Sequence, residues 1–102
     1  MTRNPLRITE KAFMAQVRKA ALLTGWRYYH TFNSWHSVPG FPDCVLVNVK
    51  KCRLMFVEVK SETGKVTAEQ EDWLRDLSSV DGVECYVLRP KDFDWFWEEL
   101  KK

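Results

Sequence analysis

An α/β domain with a mixed central β-sheet flanked by helices, in the order α-β-β-β-α-β-α, is what this 102-residue sequence predicts. Three observations predict it. Two apolar runs, "DCVLVNV" and "LMFVEVK", flank a short basic loop and read as a hairpin. Three other segments carry apolar residues at helical spacing. One of those helices separates the third strand from the fourth, and such a crossover joins parallel neighbours, which makes the sheet mixed.

The elements follow in chain order. A first helix is predicted over residues 9–24, with Phe13, Met14, Val17, Ala20 and Ala21 as its apolar stripe and Gly25 as its stop. "WRYYHTF" is the first strand, and "NSWHSVPG" is a polar loop with Pro39 and Gly40 as turn residues. The hairpin comes next, closed by residues 50–53. "SETG" is a loop, and Thr67 with Gln70 fits a T-x-x-Q capping box opening a helix to about Ser79. "VDG" is a turn and "VECYVLR" the fourth strand. Pro90 precedes a last helix with Phe93, Phe96, Trp97 and Leu100 on one face and Trp95 pointing away. Residues 1–102 read as one domain with a flexible arm over residues 1–8.

Composition narrows the class of protein. At 45% hydrophobic and 29% charged, the chain is an ordinary soluble globular domain able to bury a core without staples. Three cysteines with no CxxC spacing suggest neither a disulfide framework nor a zinc site, which points to a reducing, cytoplasmic setting. No apolar run approaches the roughly 18–20 residues of a membrane span, and the opening residues lack the apolar core of a signal peptide. The net charge of +2 is too small to name a partner, but its distribution is uneven. Residues 1–36 hold six lysines and arginines against one acid, and the remainder hold ten against thirteen. Such a basic third suits a polyanion or a solvated helix surface.

The hairpin carries charges where a core strand has none. Side chains alternate along a strand, so Leu54, Phe56, Glu58 and Lys60 share one face, and Asp43 shares its face with Val45, Val47 and Val49. If residues 50–53 form the turn, Asp43 stands opposite Lys60 with Glu58 on the diagonal, roughly 7–8 Å away at the backbone. Two carboxylates and a lysine at one sheet end suit phosphate chemistry. Mg²⁺ takes one or two carboxylates with water and phosphate oxygens, and it lowers the pKa of bound water. A lysine beside it orients water or stabilises developing charge. An ordinary cross-strand ion pair between Asp43 and Lys60 is the plainer alternative.

Two helix positions bear on that choice. Gln70 begins the stripe of Trp73, Leu74 and Leu77, and Glu10 precedes Phe13, Met14 and Val17 in the same way. Each has a local use, Gln70 in the capping box and Glu10 against the helix N-terminus. Two helices each aiming a polar group at one core favour a site.

Pro42-Asp43 followed by Glu58-Val59-Lys60 resembles the PD-(D/E)xK nuclease superfamily. More narrowly, "PGFPD…VEVK…G…T.EQ..WL..L", with the leading Glu10 helix and its following "GW", resembles the VRR-NUC family of virus-type replication-repair nucleases over residues 9–89. The resemblance implies a restriction-endonuclease-like core that cleaves phosphodiester bonds with Mg²⁺ or Mn²⁺. By position it implies Asp43 and Glu58 as metal carboxylates, the Val59 carbonyl as a further ligand and Lys60 as the catalytic lysine. Gln70 matches the family's downstream glutamine, and Glu10 an acid of the first helix. Standalone members resemble phage-borne enzymes, some acting on branched DNA such as Holliday junctions, often as dimers. A phage-encoded chain would work in the host cytoplasm.

Other features carry less. His36 suits a phosphate contact or a solvated loop, and Trp35 suits stacking on a base. Arg3, Arg7, Arg18, Lys19 and Arg27 are candidates for DNA backbone contacts. Lys50, Lys51 and Arg53 lie at the opposite end of the hairpin and read as a basic turn. An exposed Trp95 would mark a dimer interface. A DNA-binding module without cleavage is the alternative function, although clustered acids beside phosphates serve a pure binder poorly.

Overall fold

The computed structural model describes residues 8–32 and 36–102. Helix α1 (Glu10–Leu23) leads into strand β1 (Arg27–His30), then strands β2 (Cys44–Asn48) and β3 (Arg53–Val59). Helix α2 (Ala68–Ser78), strand β4 (Val83–Leu88), a 3-10 turn (Pro90–Asp92) and helix α3 (Phe93–Lys101) complete the predicted order. The sheet order is β1-β2-β3-β4, antiparallel except for the parallel β3–β4 pair across the α2 crossover. Four-stranded, mixed and flanked by helices, it has the form of a restriction-endonuclease-like core.

Local chemistry explains the element ends. Thr9 caps α1 by accepting the Ala12 N–H, and Thr67 with Gln70 makes the complete capping box of α2. The predicted stripe of α1 is buried at Phe13, Val17, Ala20 and Ala21. It packs with Phe96 and Leu100 of α3 against Cys44, Leu46, Met55, Val57 and Val59 of one sheet face. Each large apolar side chain buried there is worth about 1.5–3 kcal/mol over leaving it exposed. On the other face Phe41 lies edge-on to Phe56, with centroids 5.8 Å apart, and edge-on to Trp73 of α2 at 5.1 Å. That face is covered only in part. Tyr29 and Val49 remain 64% and 77% exposed, beside half-buried Val45 and Val47.

The hairpin register differs from the predicted one. Asn48 pairs with Arg53 and Cys44 with Val57, so the turn is residues 49–52 instead of 50–53. Asn48 Oδ1 accepts the Lys51 N–H at 3.1 Å, and Cys52 takes a positive φ of 52° that closes the turn one residue early. Asp43 therefore lies directly across from Glu58, not from Lys60.

Two of the basic residues near that turn, Lys51 and Arg53, are structural. Arg53 holds Glu84 at 2.6 Å and Glu99 at 3.1 Å, and its guanidinium lies over the Trp26 ring. Arg53 and Lys51 also donate to the carbonyls of Glu99 and Leu100, where cations complement the last turn of α3. Trp95 lies half exposed and edge-on to Tyr86. Among the described residues, no helix is long and apolar enough to cross a membrane.

Candidate active site

Three strand ends assemble the site. Thr31 N donates to Asp43 O at 2.7 Å, extending the β1–β2 pairing by one residue, and the β2–β3 register continues from Cys44–Val57 to Asp43–Glu58. Directly opposed residues of antiparallel strands face the same way with Cβ atoms about 4.5–5.5 Å apart. Both carboxylates thus rise from one face. Asp43 Oδ2 accepts the Val59 N–H at 2.8 Å, which ties the first acid to the backbone beside the second.

Glu58 is the pivot. It is 1% exposed, although it carries a carboxylate. Its Oε2 accepts from Gln70 Nε2 at 2.9 Å and lies 3.5 Å from Lys60 Nζ. Its Oε1 is buried with no hydrogen-bond partner among the described residues. Burial pushes the Glu58 carboxyl up to about 8, reinforced by the neighbouring Asp43 carboxylate, with Lys60 only partly offsetting them. Lys60, two residues on and 8% exposed, aims its ammonium from the same face. The cross-strand Asp43–Lys60 ion pair weighed as the plainer alternative gives way to this Lys60–Glu58 pair. Behind Asp43, Cys44 has a thiol that burial pushes up to about 12, so it stays neutral against the acids.

Gln70 serves both uses considered for it. Its Oε1 accepts the Thr67 N–H at 2.9 Å in the capping box, leaving its Nε2 to donate to Glu58. The cap therefore sets which end of the amide faces the acid. Gly40 makes this possible. It has a φ of 94°, and a Cβ there would fall 2.5 Å from the Glu69 carbonyl carbon in the first turn of α2. We expect Gly40→Ala to lower stability by about 2 kcal/mol and to reduce activity by pushing Gln70 from Glu58. A thermal melt within a few degrees of the parent would show that α2 does not need that approach.

Arg89 was not foreseen, since no motif or spacing singles it out. It leaves the end of β4 and donates through Nη1 to the carbonyls of Ser61 at 2.6 Å and Gly64 at 2.7 Å. It thereby braces the loop that follows Lys60, where Gly64 lies against the Lys60 stem. Arg89→Met should cost about 2 kcal/mol, as for hydrogen bonds to a charged group, and speed tryptic cutting after exposed Lys65 several-fold. An unchanged digestion rate would remove that role.

The remaining predicted residues are dispersed. Glu10 is exposed, not turned toward the core, and among the described residues no hydrogen bond or ion pair links it to Asp43, Glu58 or Lys60. It does lie at the site end of α1, one turn before Met14, whose sulfur meets Cys44. Arg18 and Lys19 are exposed on α1, across the sheet from the acids, while exposed Arg27 shares the acids' face at the far end of β1. His36 is exposed. Arg3, Arg7 and Trp35 lie outside the described residues. The open groove between α1 and α3, lined by Lys19, Leu23, Phe93 and Trp97 among others, shares no residue with the site.

The residues suit a hard divalent cation. Among the described residues no three His, Cys, Asp or Glu side chains cluster. Two opposed carboxylates with a buried, unpartnered oxygen match an ion that keeps several waters. The α/β fold is compatible with a restriction-endonuclease-like core. The VRR-NUC domain model matches residues 6–92, and this family match makes the chain a nuclease-type domain. The chain belongs to the VRR-NUC family, whose members act on DNA. No curated protein and no solved structure matches it.

Proposed function

We propose that the chain is an endodeoxyribonuclease that hydrolyses phosphodiester bonds with Mg²⁺ or Mn²⁺ and prefers branched, junction-like DNA. The observation that carries this reading is Glu58, buried with a free Oε1 directly across from Asp43 and beside Lys60. A pure binding module or a structural ion pair gives that arrangement no purpose. Asp43, Glu58 and the Val59 carbonyl would hold the ion, which when bound supplies an activated water and neutralises charge on the phosphate. Gln70 keeps Glu58 aimed, and Lys60 stabilises charge developing on the phosphate oxygens. Glu10 is assigned an auxiliary role by the resemblance alone, since it is exposed on α1 and bonds to none of Asp43, Glu58 and Lys60. The branched substrate rests on the resemblance to standalone family members. The partly open sheet face around Tyr29, Val45, Val47 and Val49 is a surface that a second copy would cover, which suits a two-fold junction.

The test is cleavage of labelled four-way junction, flap, single-stranded and plain duplex DNA with Mg²⁺, Mn²⁺ or EDTA. Metal-dependent cutting with a junction preference is expected. Salt-sensitive binding without cutting under any metal would instead support a binding module.

A further inference from the structure

Three buried side-chain polar atoms near the strand ends lack hydrogen-bond partners among the described residues; His30 Nδ1 belongs to the opposite sheet face, and the other two flank Asp43. One is Glu58 Oε1 and the other is Thr31 Oγ1. Thr31 continues the β1–β2 register opposite Asp43, as its 2.7 Å N–H bond to the Asp43 carbonyl shows. Thr31, Asp43 and Glu58 therefore stand in one row across three strands and on one face. A buried hydroxyl without a partner is costly and uncommon. Nothing in the packing of β1 requires a hydroxyl there, since valine has nearly the same shape and suits a strand.

We infer that Thr31 is a positioning residue of the cation site, holding a water of the ion's shell through its hydroxyl. This rests on the metal-dependent reading above. Strand spacing separates water-shell contact from direct ligation. An ion shared by Asp43 and Glu58 would sit between the ends of β2 and β3, and Thr31 is one strand further out, so strand spacing would separate them by roughly 7 Å. A threonine hydroxyl is too short to close that distance to the ~2.1 Å of a direct Mg²⁺–oxygen bond. It would reach a metal-bound water on the Asp43 side, whose O–H it would accept. Hydrogen bonds of this outer kind orient metal waters, and their loss typically weakens metal binding by about 10–100-fold.

The experiment titrates Mn²⁺ by calorimetry into wild type, Thr31→Val, Thr31→Ala and Thr31→Ser, beside melts in EDTA. Thr31→Val and Thr31→Ala are expected to bind Mn²⁺ about tenfold more weakly, and Thr31→Ser within about twofold of wild type. The metal-free melting temperature of Thr31→Val is expected to equal or exceed that of wild type, because an unsatisfied hydroxyl has gone. Unchanged Mn²⁺ affinity in Thr31→Val would overturn the assignment, as would equal weakening in Thr31→Ser. A marked fall in the metal-free melting temperature of Thr31→Val would make the hydroxyl structural and overturn it too. Wild type that binds no Mn²⁺ would sink the metal-dependent reading itself, an outcome distinct from wild-type binding that Thr31→Val leaves intact.

Discussion

Glu58→Gln is expected to abolish cleavage and, in EDTA at pH 8, to melt at a higher temperature than the parent protein. The reason is the cost of the Glu58 charge without a cation. Burial first, and Asp43 second, push its carboxyl up to about 8 in the folded state, against an ordinary value near 4.5. Between those values the folded chain holds a proton that the unfolded chain releases. The stability this contributes is fully present below about pH 4.5 and is lost as pH rises through about 8. The full shift would correspond to roughly 5 kcal/mol, and relaxation of the site reduces the expected loss to about 2 kcal/mol. That equals about 10 °C in melting temperature for a domain of this size. Glutamine cannot ionise, so the difference between parent and variant isolates this one group. Parent and Glu58→Gln melts that stay parallel from pH 5 to pH 8 would refute the assignment. Mg²⁺ should restore the parent at pH 8 and leave the variant unmoved, because binding a cation removes the need for the proton.

Lys60→Met should lower cleavage by about 10²–10³-fold, as for loss of a preorganised donor, with the fold kept. Methionine replaces the buried stem, and Glu58 without its ammonium partner takes up a proton instead of standing as an unpaired charge. Removing a cation beside two carboxylates should also leave Mn²⁺ affinity equal or tighter. Calorimetry and a junction-cleavage assay on one preparation read both. Unfolding of Lys60→Met in EDTA would mean that the Lys60–Glu58 pair is there for structure. Weaker Mn²⁺ binding would contradict the placing of Lys60 beside the ion.

The agreement between sequence and structure has a pattern. Every helix and strand was legible because its signal is local. The stripe at Phe13, Val17, Ala20 and Ala21, the capping box at Thr67 and Gln70, and the alternation in "LMFVEVK" each depend only on near neighbours. Alternation also placed Asp43, Glu58 and Lys60 on one face, and that holds in either register, since a shift of the pairing by two keeps the facing. Their residue types then named the chemistry.

Only the tertiary structure decided who meets whom. The Asn48 side chain and the left-handed Cys52 moved the turn by one residue, which put Glu58 opposite Asp43 and left Lys60 to pair along its own strand. Close approach of Glu69 to Gly40 carried Gln70 to Glu58, while nothing comparable turned Glu10 inward. The bracing by Arg89 and the unpartnered atoms of Thr31 and Glu58 follow from segments distant in sequence. Periodicity assigns a side chain to a face, but burial, pairing and pKa depend on what packs over that face. This chain therefore carries its fold and its reactive residues in local patterns, and the arrangement that makes them a site arises where three strand ends and one helix cap meet.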